Sequence, residues 1–178
     1  MRDLSKFDAA GYSRGRNKLW QALWFCFSFL IFQKFWYPNG LRAKSLRVFG
    51  AKVGQNVFIR HDVRIMWPWK LTVGDNSWLG EGARIINIVD VSIGNNVCIS
   101  QDAMICSGSH DHNKTDFPYK NAQIEISDGA WIAARAVVLP GASIGKNSII
   151  SAGEIARGQI ANNKLLINGE LRDISDPT

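Results

Sequence analysis

The sequence predicts an all-β domain: a three-walled coil of short strands stacked in parallel, preceded by a helical arm and interrupted by one protruding loop. Three observations carry this reading. Aliphatic residues recur at every sixth position, a second set of mostly small residues lies four positions after them, and a polar run from Asp111 to Gln123 breaks the count just after Ser109-His110. The beat falls on Val53, Ile59 and Ile65, on Val73, Leu79 and Ile85, and on Ile93, Ile99 and Ile105. It resumes at Ile126, Ile132, Val138, Ile144 and Ile150. Two-residue slips precede Val73 and Ile93. A period of six is neither the 3.6 of a helix nor plain alternation. It suits a short strand and a tight turn, with the aliphatic side chain pointing into a narrow interior and the small one placed where the backbone bends. Three units close a triangular coil, and coils stack about 4.8 Å apart through strand pairing.

The first element is a basic, apolar helical arm over residues 1–50. Arg14, Arg16 and Lys18 lead into the run Leu19 to Phe32, which Pro38-Asn39-Gly40 ends. This run is short of the roughly 20 apolar residues that a membrane span needs, and no small-residue cleavage site follows it. Apolar residues occupy nearly every face, which leaves two readings open. The helix packs on the body or a subunit contact, or it dips into a membrane surface with Trp20, Trp24 and Trp36 at the interface. Removal of residues 1–40 is expected to leave a folded, active soluble trimer with less membrane association. Leu41 to Gly50, with Arg42, Lys44 and Arg47, reads as a short basic amphipathic helix.

Charge separates the arm from the body. Residues 1–60 carry eleven Lys and Arg against only Asp3 and Asp8, whereas the rest of the chain has a slight acidic excess. A basic end on an acidic body suggests an anionic surface as partner. Nucleic acid is not expected, because no recognised nucleic-acid motif accompanies the charge. Cys26, Cys98 and Cys106 show neither a CxxC nor a metal-like spacing, and their odd number excludes a full disulfide framework. They read as reduced core residues of a cytoplasmic protein.

The repeats occupy residues 51–161, about five coils, with a loop at 111–123 and a tail at 162–178. The small set reads Val57, Val63, Ser77, Ala83, Val97, Ala103, Ser109, Ala130, Ala136, Ala142 and Ser148, and Glu154 breaks it. Gly54, Gly74, Gly94 and Gly145 follow a beat residue once per group of three. His110 closes the last unit before the loop. A histidine where a loop leaves a regular wall marks a candidate site on a rigid scaffold.

Four stretches carry a resemblance: Phe49 to Gly54, Pro68 to Asp75, Gly108-Ser109-His110-Asp111, and Asp128-Gly129-Ala130-Trp131-Ile132-Ala133-Ala134 through Leu139-Pro140-Gly141. Over roughly residues 5–160 the chain resembles the hexapeptide-repeat O-acetyltransferases, whose fold is a left-handed parallel β-helix. Within them it looks most like the colanic acid and exopolysaccharide acetyltransferases, relatives of the galactoside, maltose and nodulation enzymes. The resemblance implies acetyl-CoA as co-substrate and a sugar or lipid-linked glycan as acceptor. It also implies a homotrimer with active sites between subunits, and direct transfer without an acyl-enzyme.

The same resemblance assigns roles. His110 matches the catalytic histidine, and imidazole suits a base working near neutral pH. Asp111 or a nearby carbonyl would orient its ring, while His112 lines the pocket or faces solvent. Asn87 resembles the asparagine that holds the acceptor sugar, although an asparagine there can equally cap a turn. Trp131 matches the tryptophan beside the pantetheine arm and substrate channel, with Ala134 and Ala152 also expected at the coenzyme. Arg157 stands where relatives often have a lysine for the coenzyme phosphates, and Arg172 and Lys164 are weaker candidates. The C-terminus departs from the family pattern at Asn168-Gly169-Glu170-Leu171-Arg172. No metal is expected, since His61, His110 and His112 cannot build the three-histidine site of the β-helix carbonic anhydrases; His61 reads as a turn residue. Two alternatives remain: a catalytically silent scaffold at the membrane, which needs neither His110 nor Trp131, and an N-acetyltransferase on the same fold.

Overall fold

An aliphatic residue at every sixth position becomes a strand residue facing inward, and the chain turns after it. The computed structural model describes residues 2–8 and 11–174, and the resulting three walls form a left-handed β-helix. The first wall stacks Lys52–Val53, Leu71–Val73, Val91–Ile93, Ile124–Ile126, Ser143–Ile144 and Gln159–Ile160. The second stacks Phe58–Ile59, Trp78–Leu79, Cys98–Ile99, Trp131–Ile132, Ile149–Ile150 and Lys164–Ile167, and the third Arg64–Ile65, Arg84–Ile86, Met104–Cys106, Val137–Val138 and Ile155–Ala156. All these pairings are parallel and keep the beat residues in columns: Val73 faces Ile93, which faces Ile126. Every beat residue from Ile59 to Ile150 is buried, and Val53 at the open first coil is half-buried.

Turns between the first and second walls put Asn56, Asn76, Asn96, Asn147 and Asn163 in the left-handed region, where asparagine is tolerated. The glycine before four of these bends has a different reason: a Cβ on Gly74 would lie 2.5 Å from the carbonyl carbon of Gly94 in the next coil. The small set is buried as expected except for Ser109, which is exposed. Ser107 takes the interior place instead.

Both slips and the loop fall at one corner, between the third wall and the first. Trp67 to Lys70 bulge there in one coil, Val89 and its neighbours in the next, and residues 107–123 in the third. A side chain from the following coil clasps each of the first two. Asn87 Oδ1 accepts from the Trp67 N–H at 2.9 Å while its Nδ2 donates to the Trp67 carbonyl at 2.6 Å. Ser107 Oγ accepts from the Val89 N–H at 3.0 Å and donates to the Val89 carbonyl at 2.9 Å.

Three expectations are corrected. The tail is not separate, because Lys164–Ile167 extends the second wall and Glu170–Asp173 folds back on it antiparallel. Asn168 and Gly169, both at positive φ, make the two-residue turn between them; residues 175–178 lie outside the described residues. With six strands on two walls, the coil count is nearer six than five. The cysteines are not core residues: Cys26 is exposed, Cys98 and Cys106 are half-buried, and all three are free. The last two neighbour inward-facing isoleucines on a strand, so alternation turns them outward.

The arm is part of the core. α1 (Lys18–Phe27), capped by the Asn17 side chain, runs on as a π-helical turn over Ser28–Phe32, and α2 spans Asn39–Val48. Gln21, Trp24, Ser28 and Phe32 recur at helical spacing and are buried against the coil, with the Trp24 indole donating to the Ile65 carbonyl at 3.0 Å. Arg42, buried in α2, donates to the carbonyls of Phe32, Lys34 and Ile59. Burial lowers its pKa from the ordinary arginine value, and Tyr37 opposes that shift. Removal of the arm therefore uncovers the coil end, contrary to the expectation that it is dispensable. Arg42→Ala leaves three carbonyls without a donor, so it should cost on the order of 3 kcal/mol. The check is the denaturant midpoint, and an unchanged midpoint would contradict this role for Arg42.

Candidate active site

The elaborated corner carries His110. Beyond Ser107 the chain leaves the third wall, and His110 pairs in a single antiparallel bridge with Tyr119 as the loop returns. The loop base is closed by the Asp111 N–H to the Pro118 carbonyl, the Lys120 N–H to the Ser109 carbonyl, and the Ser109 N–H to Asn121 Oδ1 at 3.1 Å. His110 is half-buried, and its Nδ1 lies 2.9 Å from the Phe117 carbonyl. A carbonyl can only accept, so Nδ1 carries the proton and Nε2 keeps an unprotonated lone pair. That arrangement can accept a proton from a hydroxyl.

Phe117 supplies more than its carbonyl. Its ring stacks on His110 at 4.4 Å with planes 3° apart. Its backbone is left-handed at φ 49, a conformation that bulky residues rarely adopt and that costs of order 1–3 kcal/mol. The strained turn brings the ring and the carbonyl to the same imidazole. Tyr119 at 4.9 Å completes one side.

The other side comes from the chain's first residues, which gave no sequence signal. Phe7 packs edge-on against His110 at 5.4 Å and against Tyr119 at 5.2 Å. The Asp3 N–H donates to the Thr115 carbonyl at 2.8 Å, Arg2 lies over the Phe117 ring at 4.9 Å, and Tyr12 meets Tyr119 at 5.1 Å. Lys70 holds this strap to the corner: its Nζ donates to the carbonyls of Ser13 and Ile88 and sits over the Tyr12 ring. Burial lowers the Lys70 pKa, with Asp90 pulling it back. The only hint in the sequence was the cluster of aromatic residues in the loop, at Phe117 and Tyr119.

The other site residues separate into two groups. Arg157 is exposed at the same corner as His110, two coils further on, about 10 Å along the axis, beside a recess of about 530 Å³ that also includes Glu154 and Leu166. Trp131 stands on the second wall, 46% exposed, its indole N–H donating to Ser100 Oγ at 2.8 Å. Ala134 and Ala152 lie one above the other at the corner after it, joined by the Gly153 N–H to the Ala134 carbonyl. One chain therefore does not bring Trp131, Ala134 and Ala152 to His110.

Asn87 is fully buried with both its polar atoms committed to Trp67, the turn-capping arrangement of the two expected for it, and it builds the corner. Asp111 does not orient His110, since its carboxylate caps a loop turn at the Asn113 N–H. His112 is exposed and His61 sits 3.3 Å from Glu81. Lys164 and Arg172 are paired with Asp173 and Glu170 inside the terminal hairpin. Among the described residues no group of three or more His, Cys, Asp or Glu could hold a metal.

A left-handed coil with a histidine at the mouth of its one long loop defines a class, the hexapeptide-repeat acetyltransferases. No family model matches the chain. A protein bearing the name of a colanic acid biosynthesis acetyltransferase, WcaF, from Escherichia coli is 39% identical over 155 residues, 85% of this chain and 84% of the relative. The galactoside O-acetyltransferase of the same organism is 28% identical over 128 residues, 68% of this chain and 62% of the relative. Among solved structures, a galactoside acetyltransferase in complex with coenzyme A superposes with a TM-score of 0.77 at 22% identity, covering 99% of this chain and 92% of that one. A maltose O-acetyltransferase from Clostridium difficile 630 superposes at 0.78 and 20% identity, covering 89% and 88%. The chain belongs to the WcaF family of acetyltransferases.

Phe7→Ala removes one wall of the histidine cage without touching the loop's hydrogen bonds. The rate of acetyl transfer should fall roughly tenfold or more through misplacement of the imidazole, with KM for the acetyl donor unchanged and Phe7→Leu partly restoring the rate. Wild-type kcat in Phe7→Ala would show that the strap is passive.

Proposed function

We propose that the protein transfers the acetyl group of acetyl-coenzyme A to a sugar hydroxyl, with His110 as general base. The observation that carries this reading is the Nδ1 to Phe117 carbonyl bond, which leaves Nε2 free to accept. The coenzyme's thioester supplies the activated acetyl group. Nε2 takes the acceptor's hydroxyl proton as that oxygen bonds to the acetyl carbon. The imidazolium then returns the proton to the departing sulfur, so that a C–O bond replaces a C–S bond and the histidine ends as it began. The flat stack of Phe117 and the edge of Phe7 hold the ring while its charge changes, and the Phe117 carbonyl stabilises the imidazolium.

A homotrimer completes the site. The exposed indole of Trp131, with Trp78 two strands away on the same wall, leaves an aromatic surface that suits the His110 corner of a neighbouring copy. Ala134 and Ala152, small and stacked, leave room for a pantetheine arm along that corner, and Arg157 is placed for the coenzyme phosphates. The acceptor is a sugar of exopolysaccharide synthesis, in keeping with the name of the E. coli relative. The enzyme works at the inner face of the cytoplasmic membrane, where the basic arm meets lipid-linked glycan; among the described residues no helix is long and apolar enough to cross a membrane.

His110→Ala should lower kcat/KM by about 10²–10⁴-fold while coenzyme binding and thermal stability persist, and His112→Ala should be far milder. A His110→Ala enzyme that keeps more than about a tenth of kcat/KM, a loss under about 1.4 kcal/mol, would overturn the assignment. Acetyl-CoA turnover against hydroxyl and amine sugars identifies the acceptor.

A further inference from the structure

α1 is apolar on two faces, and the coil uses only one. On the opposite face Leu19 and Leu23, and Phe29 and Leu30 in the π-helical turn that follows, are exposed, Leu19 by 70% and Phe29 by 67%, and Phe35 continues the surface at 81%. So large a contiguous apolar surface marks an interaction site. Its surroundings are cationic: Arg14, Arg16, Lys18 and Lys34 flank it, and the chain has no Asp or Glu between Asp8 and Asp62.

Next to Phe25, α1 and the third wall enclose a groove of about 330 Å³ whose floor includes Ile65, Met66 and Ile86. Arg64 and Arg84 stand at this groove as register partners on adjacent strands. Like charges directly opposite one another in a sheet repel. Arg64 is held by Asp62 at 3.1 Å, whereas the Arg84 guanidinium has no hydrogen bond or ion pair among the described residues. Two cations at a groove whose other lining is mainly apolar, with Ser28 and Gln33 as its uncharged polar groups, and that opens beside an apolar helix face, match an anion carried on a hydrocarbon chain.

We propose that this face is a lipid-binding surface: the outward stripe of α1 enters an anionic leaflet, and the Arg64–Arg84 groove seats a lipid headgroup phosphate. The inference rests on the membrane placement proposed above and deepens it by naming the seat. It also bears on the acceptor. The wall that holds Arg84 leads, one coil further, into the corner of His110, so a glycan carried on a lipid phosphate held here lies along the path to the histidine.

The test uses the full chain and vesicles of phosphatidylcholine with and without phosphatidylglycerol. Wild-type protein should float with the anionic vesicles only. The double variant Arg64→Gln, Arg84→Gln should bind them roughly tenfold or more weakly, with unchanged turnover of a soluble sugar acceptor. Leu23→Ser with Phe29→Ser should abolish flotation. Flotation that is independent of the two arginines would overturn the phosphate seat and leave the membrane placement standing. Wild-type protein that does not float overturns both. If the serine variant then dissociates into smaller assemblies, the face is a contact between copies of this chain.

Discussion

Every wall of this coil turns a beat residue inward on each turn, with a second aliphatic residue only on the first wall at Leu71, Val91 and Ile124, and the rest of the structure follows from that spacing. Most of the backbone added to the count of six finds no room inside, so it leaves at a corner. There it presents backbone polar groups that need partners. All three departures from the count leave at the corner between the third and first walls. Asn87 and Ser107 each answer both polar groups of the bulge in the preceding coil, so each of the first two bulges is finished by the coil that follows it. The long loop with His110 is the third of these departures and stands on the other two. The site therefore rests on a stack of clasped turns that a change in register would undo.

How much of this the sequence disclosed depends on whether a feature repeats. The beat from Ile59 to Ile150 was legible because each residue answers to the same geometry, and the loop was legible because it breaks that geometry. Asn87 stayed open between two readings because an amide that holds a sugar hydroxyl and one that bridges Trp67 have the same chemistry, and only burial separates them. Ser109 was taken for the interior small residue by continuing the count, but the chain leaves the wall two residues earlier, at Ser107. Phe117 carries a positive φ that no pattern announces. Phe7 meets His110 across a hundred residues of chain, through a segment without periodicity.

The arm shows a different limit. A helix apolar on all sides carries no moment from which a buried face can be read, and the two readings of Leu19 to Phe32 excluded each other only if the helix has a single partner. In the structure Trp24 and Phe32 face the coil while Leu19 and Phe29 face outward. One element thus seals the first coil and presents a surface to something else. Arg42 on α2 ties the π-helical turn at Phe32 to Ile59 of the coil, and the strap before α1 reaches the histidine cage.

The account depends on one proton. If the Phe117 carbonyl sets the ring, then in protein labelled with ¹⁵N-histidine the neutral His110 imidazole should appear as the Nδ1–H tautomer, with Nε2 as the unprotonated nitrogen. With only three histidines in the chain, loss of one set of signals in His110→Ala assigns it. An Nδ1–H tautomer with Nε2 unprotonated is the predicted result. An Nε2–H tautomer, or rapid exchange between the two, would contradict it, because the nitrogen facing the acceptor would then hold the proton it is meant to receive.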